Sequence, residues 1–121
     1  MSKFNMITNI PPDVPKWALV LLNNLYEIEQ KLVKSGDVGN VLRNVNKIKD
    51  VIEEWGVFYE DPMGQLFKET RTDLDASISG AGTENLEVVQ VIKPIIRIGP
   101  RELSRLAQKG FVVVESKSEN K

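Results

Sequence analysis

Residues 38–55 read VGNVLRNVNKIKDVIEEW. Their apolar side chains fall at Val38, Val41, Val45, Ile48, Ile52 and Trp55, and steps alternating between three and four keep one apolar seam along one side of a helix. Between them stand Arg43, Asn44, Asn46, Lys47, Lys49, Asp50, Glu53 and Glu54, so the rest of that helix is wet. A seam this narrow calls for another helix as its partner.

The partner lies just upstream. Leu21, Leu25, Ile28 and Leu32 make a second seam, with Trp17 and Ala18 one turn earlier. Asp13 or Val14 is expected to cap this helix, with Pro15 in its first turn and a stop near Ser35-Gly36. The short connection through residues 35–40 favours antiparallel neighbours, hence a helical hairpin. Val20, Leu22 and Val33 flank the first seam and Leu42 and Val51 the second, and this surface also has to be covered. Either the downstream β segment folds back on it, or a second copy docks to make a dimeric four-helix bundle. The second is preferred, because strict heptad spacing is what helix-on-helix packing selects. Its interface residues are Leu21, Leu25, Ile28, Leu32, Val41, Val45, Ile48 and Ile52. Trp17 and Trp55 stand at helix ends that an antiparallel hairpin brings together, where core packing is their expected role.

After Trp55-Gly56 the period changes. Val57-Phe58-Tyr59 reads as a short strand, Asp61-Pro62-Met63-Gly64 as a turn, and Gln65-Leu66-Phe67 as a pairing segment for the strand before that turn. Leu74, Ala76 and Ile78 alternate with Asp73, Asp75 and Ser77, as in a one-sided strand, and Gly80, Gly82 and Thr83 mark a loop. Residues 86–98 form the longest apolar run. Its β-branched richness predicts a central strand buried on both faces, with a bulge or break at Pro94. A turn at Gly99-Pro100, a strand or helical turn through Leu103 and Leu106, and a final strand at residues 111–114 complete the reading. The expected fold class is α+β: a lead-in at 1–12, a helical hairpin at 13–56, a small mainly antiparallel β domain at 57–116 and a frayed tail at 117–121.

Composition removes several function classes. In 121 residues, 41% are apolar and 27% charged, and 16 Lys and Arg face 17 Asp and Glu. Near-neutral charge argues against non-specific nucleic-acid binding, which needs surplus cations facing phosphates. No apolar run reaches the length of a membrane span, and residues 1–12 lack a signal-peptide pattern, so the expected compartment is the cytoplasm. The chain has no cysteine and no histidine, which removes disulfides, thiol catalysis, thiolate metal sites and the commonest general base.

The order of these elements resembles a known family. A hairpin whose second helix runs out through Glu54-Trp55-Gly56-Val57, then Gly64-Gln65-Leu66-Phe67, Ala76, Val88-Val89-Gln90-Val91 and a closing Val112-Val113-Val114 is similar to the C-terminal part of GrpE, the nucleotide exchange factor of DnaK-type chaperones. The likeness covers residues 17–116. Leu74-Asp75-Ala76 stands where the family commonly carries His-Glu-Ala, and Gln108-Lys109-Gly110 near its usual Arg-Pro-Ala. The family's long N-terminal stalk helix has no counterpart in residues 1–12. The resemblance implies a non-enzymatic homodimer, without cofactor or metal, that contacts a DnaK-type chaperone through its β half.

The candidate chemistry lies in residues 68–75. Asp73 and Asp75, two apart, suit a cation or an acid/base pair in principle, but two ligands without a phosphate-binding loop are too few to be specific. A solvated strand face is the first reading, a partner surface with Arg71 the second, and an enzymatic or ligand site around Glu69, Arg71, Asp73 and Asp75 the third. Gly80-Ala81-Gly82-Thr83 lacks the lysine and helix of a phosphate loop and reads as a turn. Lys93, Arg97, Arg101 and Arg105 form a sparse basic stripe, first a charged rim against edge pairing and second a docking patch. The residues expected to meet a partner are Arg71, Asp73, Asp75, Lys93 and Arg97.

Overall fold

The computed structural model describes residues 16–37 and 39–117. The expectations for the lead-in, the cap at Asp13 or Val14, Pro15, Val38 and residues 118–121 lie outside the described residues.

The hairpin is present. Helix α1 spans Lys16–Ser35 and helix α2 spans Val41–Glu54. The chain reverses between them through positive φ at Gly36, Asp37, Gly39 and Asn40, and the Asp37 amide closes α1 by donating to Leu32 O at 2.8 Å. Asp37 also opens the next helix, since its carboxylate accepts from the Leu42 amide at 2.9 Å. Such a carboxylate satisfies an amide that the first turn leaves without an intrahelical partner. Gly56, at φ 88°, ends the second helix by donating to Glu53 O at 2.8 Å.

Six strands follow, in two three-stranded sheets. They are β1 (Val57–Glu60), β2 (Leu74–Ser79), β3 (Leu86–Lys93), β4 (Ile95–Ile98), β5 (Arg105–Gln108) and β6 (Gly110–Ser116). One sheet has the order β1-β4-β5 and the other β2-β6-β3. The class is thus α+β with an N-terminal hairpin. Not every pairing is antiparallel: β2 runs parallel to β6, from Leu74 opposite Gly110 to Ser79 opposite Glu115.

The compact units interleave along the chain instead of dividing near residue 56. One comprises residues 16–59 with Ile96–Ala107, so both helices and most of the β1-β4-β5 sheet belong to it. The other comprises Glu60–Ile95 and residues 108–117, with the β2-β6-β3 sheet. The apolar run at 86–98 does break at Pro94, which has no amide hydrogen to give a ladder. It is not one central strand, however. β3 lies at an edge of its sheet, while β4 and β6 hold the central places. Val89 and Ile92 of β3 are exposed, whereas Ile95 and Ile96 of β4 are buried. Residues 65–67 are also corrected, because they bond to β3 and not to β1: the Phe67 amide donates to Leu86 O at 2.8 Å and the Val88 amide to Gln65 O at 2.9 Å.

Helix α1 presents a face turned from the expected seam. Ala18, Leu22, Leu25 and Tyr26 are buried, Leu21 and Leu32 are half-buried, and Ile28 is exposed. Tyr26 explains the turn. Its ring meets Tyr59 of β1 edge-on at 5.6 Å, and an aromatic pair of this geometry adds about 0.5–1.5 kcal/mol beyond area burial. In α2 the heptad divides in two. Val45 and Ile52 are only 4% and 3% exposed, whereas Val41, Ile48 and Trp55 are 42%, 45% and 66% exposed. Trp17 and Trp55 do meet, edge to face with centroids 6.1 Å apart. Both are exposed, so this contact lies on the hairpin's surface and not in the core.

In the second unit, Gly110 sits where β2, β3 and β6 draw close. A Cβ there would meet Leu74 Cδ2 at 2.9 Å, Ile95 Cγ1 at 3.0 Å and Lys93 O at 3.3 Å. Gly110→Ala is expected to cost about 1–3 kcal/mol by overpacking, measured as a lower urea midpoint at unchanged slope.

Candidate functional site

Arg71 and Asp73 are joined to each other. Arg71 Nε and Nη2 reach the two Asp73 oxygens at 3.0 Å each, a two-pronged match of guanidinium to carboxylate. The third prong, Nη1, donates to Gln65 Oε1 at 2.9 Å. The Arg71 amide closes its own turn onto Lys68 O at 2.9 Å, and Asp73 O accepts from the Gly110 amide, also at 2.9 Å. Together these bonds clasp the loop ahead of β2. They occupy the carboxylate of Asp73, one of the two candidate ligands, with Asp75 the other.

Asp75 differs. It lies within β2, is exposed, and meets Lys109 Nζ at a long 3.6 Å, a contact worth little in solvent. The register places Asp75 opposite Phe111, and Phe111 opposite Lys93 on the far strand. Lys93 Nζ stands 5.6 Å from the centre of the Phe111 ring, within cation–π reach. An exposed acid, an exposed aromatic and an exposed base therefore form one row across the outer face of this sheet. Glu69 is exposed. Arg97 is half-buried in β4, in the other compact unit. Among the described residues, no three Asp or Glu gather closely enough to hold a metal ion. The row presents charge of both signs on either side of an aromatic ring.

Phe111 was not singled out by sequence reasoning. The signal lay in strand parity: Gly110, Val112 and Val114 are buried, which turns Phe111, Val113 and Glu115 outward. A second group missed in the sequence lies where helix and sheet meet in the first unit. Lys49 Nζ reaches Glu29 at 3.2 Å, Tyr59 OH donates to the same carboxylate, and Lys49 stands 4.6 Å from the Tyr59 ring centre. Nearby, Arg101 grips Glu53 through Nε at 2.6 Å and Nη2 at 3.0 Å, and stacks over Phe58 at 4.1 Å. Lys49, Glu53, Phe58, Tyr59 and Arg101 line a notch of about 70 Å³, in which every cation already faces a carboxylate. The hairpin's outer side carries a larger groove of about 360 Å³, lined by Leu21, Lys47, Ile48, Val51, Ile52 and Trp55.

Comparison with protein-family models finds no match, and neither curated proteins nor solved structures give a significant one.

The Arg101 hydrogen bonds hold the Glu53 carboxyl below its ordinary range. A carboxyl depressed in the folded state adds stability above its unfolded pKa of about 4.3, and that stability is lost as pH falls through the folded value. The pair is exposed, so the contribution is at most about 1 kcal/mol. Glu53→Gln is expected to lower stability slightly at pH 7 and to converge with the unsubstituted chain as pH falls through the folded Glu53 pKa, followed by urea titration at each pH.

Proposed function

We propose that the chain is a non-enzymatic protein-interaction module that pairs with a second copy through its hairpin and works in the manner of a GrpE-type nucleotide exchange factor on a DnaK-type chaperone. The observation that carries this reading is the divided heptad. Val45 and Ile52 turn into the chain, while Val41, Ile48 and Trp55 stay exposed at steps of seven. On α1, Trp17 and Ile28 are exposed and Leu21 half-buried beside the same groove. Isolated apolar residues at a surface are ordinary, but a stripe extending along two paired helices calls for a cover. A second hairpin supplies a cover of the same period, with each stripe as both donor and acceptor of side chains across a two-fold axis.

In this reading the β half is the working surface, and the row of Asp75, Phe111 and Lys93 gives it charge complementarity and an aromatic anchor. The clasped pair of Arg71 and Asp73 fixes the loop beside that row, and Arg97 belongs to the first unit's own contribution. The mechanism is differential binding. A surface that holds the open form of the chaperone's nucleotide domain better than the closed form shifts the population towards open, and the nucleotide leaves.

Light scattering after size exclusion is expected to give twice the 13.6 kDa chain mass. Ile48→Asp, which buries a carboxylate only if a second copy covers that position, is expected to return the monomer mass with unchanged helix content. The chain is expected to accelerate ADP release from a DnaK-type chaperone, and Ile48→Asp to reduce that acceleration at least tenfold. A monomer at tens of micromolar overturns the paired hairpin. No acceleration at saturating chain overturns exchange.

A further inference from the structure

The two edges of the β2-β6-β3 sheet are unlike. Along β3 the chain covers its own edge: the Gly64 amide donates to Val88 O at 3.0 Å, and the Val88 and Phe67 amides bond to and from the same segment. Leu66 bridges Glu87, and β3 also shifts register twice against β6. Along β2, the six residues Leu74–Ser79 pair with β6 in unbroken register, and no described residue continues the sheet on the other side. Edges that stay single are ordinarily blunted by charged side chains, above all lysine, by proline or by a bulge. Residues 74–79 read LDASIS, without lysine, proline or a bulge, and Asp75 is the single charge that a strand laid there would have to match.

The side chains along this edge describe what fits it. Asp75 is the one charged residue of the strand, and its long contact to Lys109 leaves it exposed. On the opposite face the row runs from buried Leu74 through half-buried Ala76 to exposed Ile78, so apolar surface increases along the strand. A strand laid beside β2 would meet carboxylate on one face and apolar surface on the other, because successive side chains alternate faces.

We propose that the outer edge of β2 receives an extended segment of another protein by strand addition, one whose residues alternate between basic and apolar. The segment's main chain bonds to the open edge of β2, its basic residues lie beside Asp75, and its apolar residues lie over Ala76 and Ile78. Main-chain pairing provides affinity, and Asp75 sets the preferred charge. This site needs neither the paired hairpin nor nucleotide exchange, and its test contains no chaperone.

The experiment titrates the isotope-labelled full chain with the peptide KVKVKVKVK and follows backbone amides by NMR. The amides of residues 75–79 are expected to shift, and those of Ala76 and Ile78, which face the open edge because the Gly110 amide bonds to Asp73 O in a parallel ladder, to exchange with solvent at least tenfold more slowly. The counterpart EVEVEVEVE is expected to bind at least tenfold more weakly, and Asp75→Lys, a change at an exposed position, to reverse that order. A KVKVKVKVK peptide N-methylated on alternate amides is expected to leave the spectrum unchanged. Shifts centred away from β2, equal binding of the two peptides, or binding that survives N-methylation overturns the proposal. So does pairing of β2 with a second copy, seen as concentration-dependent broadening of the β2 amides without peptide.

Discussion

The missing amide hydrogen of Pro94 decides the course of the β half. Residues 86–98 carry seven β-branched residues, Val88, Val89, Val91, Ile92, Ile95, Ile96 and Ile98, and without an interruption they would form one long strand. A proline in such a run withholds a ladder bond and forces a break. The break separates β3 from β4, and the two pieces join different sheets. Pro94 is itself fully buried, and its carbonyl is not wasted, since Gln108 Nε2 donates to it at 3.0 Å. Gln108 ends β5, and Gly110 begins β6, so the same residue neighbourhood governs the chain's return to the second sheet. Gly110 must then lack a side chain, because Leu74, Ile95 and the Lys93 carbonyl already occupy that space.

The helical hairpin meets its burial requirement in two ways. Its inner side closes on the first sheet, where Tyr26 packs against Tyr59. Gly56 O accepts from the Gly99 amide at 2.7 Å, and Arg101 spans from Glu53 to the Phe58 ring. These contacts fix the end of α2 against the turn after β4. Its outer side keeps Val41, Ile48, Val51 and Trp55 in solvent. A heptad contains both sides in one pattern, because its alternate positions diverge slightly around the helix. Fully burying each exposed aliphatic residue contributes about 1.5–3 kcal/mol, which is the driving term for any cover on that side.

Local chemistry was legible in the sequence, and non-local pairing was not. The helices, their stop at Gly56, the turn at 61–64, the strand at 74–79 and the break at Pro94 all follow from residues within a few positions of one another. The partner of Gln65-Leu66-Phe67 did not. A segment just after a turn reads as pairing with the strand just before it, yet here it joins β3, some twenty residues on. The run at 86–98 read as central because β-branched residues mark burial, but hydrophobicity alone does not state which piece has neighbours on both sides. The same limit applied to the candidate site. Asp75 and Lys93 were both picked out by charge, but the parallel register of β2 on β6 is what puts Phe111 between them. The approach of Trp17 to Trp55 followed from an antiparallel hairpin, whereas their exposure depends on which way each helix turns.

The fate of the charged residues follows from geometry more than from charge count. Arg71 and Asp73 are two residues apart on a tight loop, close enough for a guanidinium fork to close on a carboxylate, and the closed pair stabilises the loop by holding Gln65 as well. Asp75 is two residues further on, but the strand has begun, and its side chain stands on the exposed face, where it meets Lys109 at a long 3.6 Å. An acid with so weak an internal partner keeps most of its hydration. It loses that hydration favourably only to an incoming cation, which is why the proposed charge preference of this sheet edge rests on Asp75 and not on the better-organised Asp73.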